Sequence, residues 1–326
     1  MGGLAIYYYP SIIKNIYRRV NFWDDTSSKV WDDSFTTVSI PSSVDGVEQK
    51  AVYFKSLSSS KQPLLVSLHT WSGTYEQKDP LSAYAVKHNW NYIHPDFRGP
   101  NRTTEACLSQ KVIKDIDDSI KFAIDNGGVD STNIFIAGAS GGGYVTIGYF
   151  MKGQYPARAY LAWVPITDLN SWYWQSVNRN EKYAQDILDC TSNNEDMLNL
   201  KEMKDRSPIY FDIPKIHNSG LEIYHGINDG YTGSVPISHS ILFYNKLVNF
   251  YGLENRRVTQ QEIVRLFTRG VEVHPNQEKI GTRTVFYTKK NPVVSLTIFD
   301  GGHEMLPKYC FQRLKKISEK KPRTLR

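Results

Sequence analysis

Gly138-Ala139-Ser140-Gly141-Gly142 constrains this chain more than any other stretch, because of what flanks it. Asn133-Ile134-Phe135-Ile136-Ala137 ahead of it is short, apolar and rich in strand formers, and Gly143 to Met151 behind it reads as a helix. A serine on the turn between a buried strand and a helix is held in a strained backbone conformation, with its hydroxyl standing clear of the sheet. Glycines two residues to either side are needed because larger side chains would clash in so tight a turn. Strand, turn and helix together make Ser140 a candidate nucleophile.

The rest of the chain supplies the sheet that such a turn requires. Thr36 to Ile40 and Gln49 to Phe54 alternate apolar and polar residues and read as antiparallel strands. Pro63 to Leu68 is an apolar run suited to a strand buried on both faces. Leu81 to His88 reads as a helix and Trp90 to Ile93 as a strand. Val112, Ile113, Ile116, Ile120 and Ala123 recur at helical spacing, and Gly127 and Gly128 close that helix. Tyr160 to Val164, Leu221 to Tyr224 and Val293 to Phe299 read as further strands, and His239 to Phe250 as an amphipathic helix. Strands alternating with helices predict an α/β fold, a mostly parallel twisted sheet with helices on both faces.

Two stretches break the alternation. Residues 165–215 are polar and aromatic, include Asp168-Leu169-Asn170-Ser171-Trp172-Tyr173-Trp174, and read as a lid-like insertion over the site. Residues 253–290 form a second insertion, with a helix opened by the capping box Thr259-Gln260-Gln261-Glu262. With an N-terminal extension over 1–48 and a basic tail over 311–326, the 326 residues read as one domain.

Composition removes several function classes. The formal net charge of +6 suggests nucleic acid, but the tail from Phe311 carries seven basic residues against one acid, which accounts for all of it. A basic terminus reads as a solvated, frayed end, so no nucleic-acid partner is expected. Cys107, Cys190 and Cys310 have neither a paired framework nor metal-ligand spacing, which points to a reducing, cytoplasmic setting. Met1 to Val20 is aromatic and apolar, but its basic residues follow the apolar run, the reverse of a signal peptide, and Pro10 interrupts it. It reads as a segment packed on the domain or on a second copy in a homo-oligomer, with no stable membrane insertion.

A serine hydroxyl needs a base, and the base needs an orienting acid. The order serine, acid, histidine of α/β-hydrolases is met here. Asp229 follows the strand Leu221 to Tyr224 within His225-Gly226-Ile227-Asn228-Asp229, and His303 follows the last strand within Asp300-Gly301-Gly302-His303-Glu304. Each member then lies at the C-terminal end of a strand, where parallel sheets place active sites. Asp168 and Asp300 remain alternatives for the acid. For the base the alternative is His274, since His69, His88, His94, His217 and His225 precede the acid and His239 lies on a helix. An oxyanion hole needs two aimed N–H donors. Gly141 supplies one, and Leu68-His69-Thr70-Trp71-Ser72-Gly73 the second, from Trp71 or alternatively Thr70. Trp172, Tyr173 and Trp174 read as a substrate-binding platform that could stack a sugar. Arg98 reads as a structural ion-pair partner, with a substrate carboxylate as the alternative.

The ordered set of His69-Thr70-Trp71-Ser72-Gly73, Pro95-Asp96-Phe97-Arg98-Gly99, Gly138 to Gly143, His225 to Asp229 and Gly301-Gly302-His303 resembles the α/β-hydrolases of the prolyl oligopeptidase type. The resemblance spans most of one catalytic domain and implies the triad Ser140, Asp229 and His303. Large peptidases of this type carry an N-terminal β-propeller, for which the residues ahead of the core leave no room. Thr70-Trp71 stands where many relatives have glycines. These departures weigh against a peptidase and favour a serine esterase, and the high aromatic content, which suits sugar faces, points to an acetyl or short acyl ester of a carbohydrate, with no cofactor and no metal. A peptidase of the prolyl oligopeptidase type acting on short peptides is the alternative. An acyltransferase, or a non-catalytic binding protein on the same fold, comes after it.

Overall fold

The computed structural model describes residues 31–192, 197–213, 220–274 and 276–321. The aromatic N-terminal segment lies outside the described residues. Among the described residues the strands are β1 (Thr36–Pro41), β2 (Glu48–Phe54), β3 (Gln62–Leu68), β4 (Asn91–Pro95), β5 (Val129–Ala139), β6 (Ala159–Trp163), β7 (Gly220–Gly226), β8 (Lys279–Ile280), β9 (Arg283–Lys290) and β10 (Val294–Phe299). They form one sheet in the order β1-β2-β4-β3-β5-β6-β7-β10-β9-β8. From β4 to β10 the neighbours run parallel. Both edges are antiparallel.

Two-residue periodicity explains why the central strands are apolar throughout. In β3, Leu64 and Val66 point into one core and Leu65 into another; in β5, Ile134 and Ile136 are separated in the same way from Phe135 and Ala137. Each strand therefore needs apolar residues on both faces. The first core is covered by α2 (Gln110–Gly127), α3 (Gly141–Lys152) and α7 (Ser238–Phe250), once α1 (Leu81–Lys87) is assigned to the second with the C-terminal helix. Gly128 ends α2 in the left-handed region at φ 61°, a conformation glycine takes without strain.

Two readings of the sequence change. The second insertion contains more than a helix: after α8 (Gln260–Phe267), whose capping box forms, β9 pairs antiparallel with β10 and extends the sheet. Of β9 only Val285 is fully buried, so the strand carries no apolar alternation to read. The basic tail is not frayed along its first part. Pro307–Ser318 is helix α9, with Cys310, Phe311 and Leu314 buried in the second core and Arg313 Nε donating to Glu222 Oε2 at 2.8 Å. Phe311 and Leu314 sit three residues apart on one helical face, and the basic residues occupy the other positions.

The cysteine reading is also overturned. Cys107, between β4 and α2, is disulfide-bonded to Cys190, and only Cys310 is free. The two are 83 residues apart, a separation that carries no local pattern. Disulfides persist in oxidising environments, so the cysteines no longer argue for a reducing compartment. Among the described residues no helix is long and apolar enough to cross a membrane. Because so long a loop is closed, Cys107→Ser should lower unfolding stability by about 2–4 kcal/mol. Urea melts of the variant and of the oxidised parent measure the difference; coincident midpoints would contradict it.

Candidate active site

Ser140 sits between β5 and α3 at φ 56° and ψ −119°, a strained conformation for a residue with a side chain. Its N–H donates to the Trp163 carbonyl at 2.9 Å and its own carbonyl accepts from Tyr144 N–H at 2.9 Å. The flanking glycines are required for space. A Cβ on Gly138 would lie 2.5 Å from the Gly142 carbonyl carbon, and one on Gly142 would collide with the Leu68 carbonyl oxygen. Strand β5, the turn and the neighbouring strand β3 thus touch backbone to backbone, and the turn can close only with hydrogen at those positions.

Asp229 and His303 are brought together. Asp229 follows β7 and is buried, and its Oδ2 accepts from His303 Nδ1 at 2.7 Å. Oδ1 accepts from the N–H groups of Gly230 and Val235, each at 3.0 Å. Burial raises the affinity of this carboxyl for its proton. The His303 charge and the hydrogen bonds from His225 and His303 overcome that and hold Asp229 well below the usual carboxylate range. Two glycines make the approach possible. A Cβ on Gly226 would strike the backbone of Gly301 and Gly302, and one on Gly233 would run into both Asp229 Oδ1 and His303 Cβ.

The rival acids and bases are engaged elsewhere. Asp168 caps α4 (Leu169–Asn178), accepting from Asn170 and Ser171 N–H. Asp300 is exposed. His274 is exposed and lies beside Glu272. His239 accepts Thr167 N–H at 3.1 Å and donates to Gln175 Oε1 at 2.9 Å.

A Cβ on Gly141 would collide with the Trp71 backbone nitrogen, so the Gly141 and Trp71 backbones are in contact beside Ser140. The Gly141 N–H belongs to the first turn of α3, where helix donors have no intrahelical acceptor. Thr70 is the poorer candidate, since its N–H already donates to Gln77 Oε1 at 2.9 Å. A cavity of about 10 Å³, about the space of one water, lies between His69, Asp79, His94, Gly138 and Met305, and none of Ser140, Asp229 and His303 lines it. Among the described residues no His, Cys, Asp and Glu group is placed to hold a metal ion.

The residues of the first insertion serve differently from the sequence reading. Trp172 is fully buried; its indole N–H donates to the Ser234 carbonyl at 2.9 Å and its ring meets Trp71 edge to face at 4.8 Å. It belongs to the core beneath the Trp71 loop, and no sugar can stack on it. Helical geometry turns only one of three consecutive residues inward: Tyr173 is half-buried and Trp174 is 48% exposed. The insertion also braces the loops that carry Trp71 and Asp229. Asp186 on α5 (Tyr183–Thr191) accepts the Trp71 indole N–H at 3.1 Å and pairs with Lys182 at 2.5 Å. Arg179, at the end of α4, donates to the carbonyls of Gly230 at 2.8 Å and Ser234 at 2.6 Å, on the loop that carries Asp229. Arg98 is a structural ion-pair partner: its guanidinium is buried against Asp115 at 2.5 Å and Asp45 at 2.9 Å.

Sequence reasoning assigned no role to His225, Gly233, Arg179 or Asp186. His225 stood inside a recognised motif. The other three are identified only by partners distant in the chain.

The family profile of the prolyl oligopeptidases matches residues 84–269. Among solved structures, the chain is similar to Pyrococcus horikoshii acylaminoacyl peptidase in its orthorhombic crystal form, with 15% identity over 94% of this chain and 42% of that one and a TM-score of 0.56. It is similar to an acylaminoacyl peptidase in complex with Z-Gly-Gly-Phe-chloromethyl ketone, with 17% identity, coverage of 88% and 41%, and a TM-score of 0.55. It is also similar to oligopeptidase B from Leishmania major, with 14% identity, coverage of 87% and 36%, and a TM-score of 0.54. At these identities the likeness shows the α/β-hydrolase fold. The chain spans about two fifths of the length of these structures. No curated protein matches it.

Proposed function

Because this chain belongs to the prolyl oligopeptidase family, we propose that it is a serine peptidase that hydrolyses short peptides through an acyl-enzyme. The observation that carries the reading is the buried Asp229 carboxylate bonded to Nδ1 of His303, at the same end of the sheet as the strained Ser140 turn. In this mechanism Ser140 Oγ attacks the peptide carbonyl carbon while His303 Nε2 takes the hydroxyl proton. Asp229 keeps the other proton on Nδ1 and stabilises the imidazolium. The N–H groups of Gly141 and Trp71 stabilise the tetrahedral oxyanion. His303 gives its proton to the leaving amine; water, deprotonated in turn by His303, attacks the acyl carbon, the Ser140 Oγ–C bond breaks, and His303 returns the proton to Oγ as the acid leaves.

The same machinery can cleave an ester, whose leaving group is better. The expectation of a carbohydrate ester rested on the high aromatic content, and Trp172, one of the three aromatics read as a sugar-stacking platform, is buried in the core. Family membership favours the amide bond, and the similar structures carry the names of peptidases.

A panel of peptidyl p-nitroanilides, p-nitrophenyl acetate and acetylated oligosaccharides separates the readings. The expected result is turnover of peptidyl anilides together with labelling of Ser140 by a fluorophosphonate, mapped by mass spectrometry. Hydrolysis confined to the acetylated sugars would overturn the peptidase reading and restore the esterase.

A further inference from the structure

The mechanism above leaves one buried histidine at the triad without a task. His225, the penultimate residue of β7, is fully buried. Its Nε2 lies 3.1 Å from Asp229 Oδ2 and 2.9 Å from the Val235 carbonyl oxygen. Both are acceptors, so Nε2 carries the proton and donates. Its Nδ1 lies 2.6 Å from Oγ of Ser240, a buried residue of the first turn of α7. With the ring proton on Nε2, Nδ1 is a lone pair and the Ser240 hydroxyl donates to it. Every hydrogen in the chain Ser240–His225–Asp229 then has one direction.

We propose that His225 is a positioning residue for the triad acid, held in a single tautomer by the two acceptors at Nε2, with the Ser240 hydroxyl donating to Nδ1. The inference rests on the assignment of Asp229 and His303 to the triad. A carboxylate has about four acceptor sites, and Asp229 fills them with two backbone N–H groups on Oδ1 and two imidazole N–H groups on Oδ2. So held, the carboxylate cannot turn about its own bond, and Oδ2 keeps its lone pair on His303 Nδ1. The second donor on Oδ2 also spreads its negative charge, which moderates how strongly it stabilises the protonated His303. The remaining titratable or charged neighbours do not take this part. His239 is kept neutral by burial, its value pushed down to about 3, and Arg179 is spent on the carbonyls of Gly230 and Ser234.

Two amides test the proposal, because each keeps one half of the imidazole. His225→Asn places its amide nitrogen near the position of Nδ1 and cannot reach Asp229. His225→Gln places its amide nitrogen near Nε2 and keeps the donor. With a peptidyl anilide, His225→Asn should lower kcat on the order of 10- to 100-fold, the range for loss of a hydrogen bond to a charged group. KM should change little. The acidic limb of the kcat/KM profile should move to higher pH, because the less satisfied carboxylate stabilises the His303 imidazolium more. His225→Gln should recover most of kcat and the parent acidic limb. Ser240→Ala removes the donor that anchors Nδ1, leaves the ring less firmly placed against Asp229 and should shift the limb the same way by less; it carries the test where His225→Asn does not fold. The proposal is overturned if folded variants keep the parent kcat and acidic limb, or if Asn and Gln lose activity equally with the limb unmoved, which marks a purely structural role. Ser140→Ala in the same assay separates the two failures: if that variant stays active the triad assignment is at fault, and if it is dead while His225→Asn matches the parent only the role of His225 fails.

Discussion

Ser140→Ala should reduce kcat on a peptidyl substrate on the order of 10⁶-fold, with KM nearly unchanged. The size follows from what is removed. Without Oγ no acyl-enzyme can form, and His303 and Asp229 are left to act on water alone, so loss of the serine costs about as much as loss of the whole triad. What remains is binding and the two N–H groups of Gly141 and Trp71, which on their own still sustain about 10³- to 10⁴-fold over water. The fold should survive. Alanine meets the φ of 56° with the same Cβ as serine, and the turn's hydrogen bonds to Trp163 and Tyr144 are made by the backbone. Equal thermal midpoints for parent and variant, with single-turnover release of p-nitroaniline lost only in the variant, is the expected pair of results. A variant retaining more than about a hundredth of the parent rate would rule out Ser140 as the nucleophile.

Most of what positions Ser140 is local in the chain, and therefore readable. An apolar run buried on both faces, a glycine-flanked serine and a following helix are neighbours in sequence, and each obeys a short-range rule of sterics or periodicity. Asp229 and His303 are far apart in sequence, but each follows its own strand, so strand order places both at one end of the sheet. Local rules gave out where a residue's environment is set by a distant partner. Trp172 has the same neighbours in sequence as an exposed aromatic would have; its burial is decided by Trp71 and Ser234. Cys107 and Cys190 meet only because α5 folds back on the loop before α2. Strand β9 packs its consecutive Val285, Phe286 and Tyr287 against the cores and ends in polar residues, so its pairing with β10 left no two-residue alternation to read. Gly233 carries its reason in the approach of Asp229 and His303, which neither flanking residue reveals.

Asp229→Asn should lower kcat on the order of 10⁴-fold while leaving the fold intact, and the cause is the direction of four hydrogen bonds. The carboxylate accepts at all its sites: Gly230 and Val235 N–H on Oδ1, His225 and His303 on Oδ2. An amide of the same shape has one oxygen and one NH₂. The backbone N–H groups cannot reverse, so the amide oxygen takes the Oδ1 position and the NH₂ faces the two imidazoles. His303 can then meet it only through a lone pair on Nδ1, which moves the ring proton to Nε2, the atom that must accept the Ser140 proton. The base is blocked by its own tautomer, although every heavy atom stays in place. His225 still faces the Val235 carbonyl at 2.9 Å and keeps its Nε2 proton on it, so the downfield imidazole N–H resonance of His303, and not that of His225, should move in ¹⁵N-edited NMR spectra. Asp229→Ala, which leaves no NH₂ to dictate the tautomer, should keep the Nδ1-protonated form of His303 accessible and lose less activity per unit of lost structure. If Asp229→Asn instead costs less than about tenfold, another carboxylate orients His303, and the assignment of Asp229 as the triad acid fails.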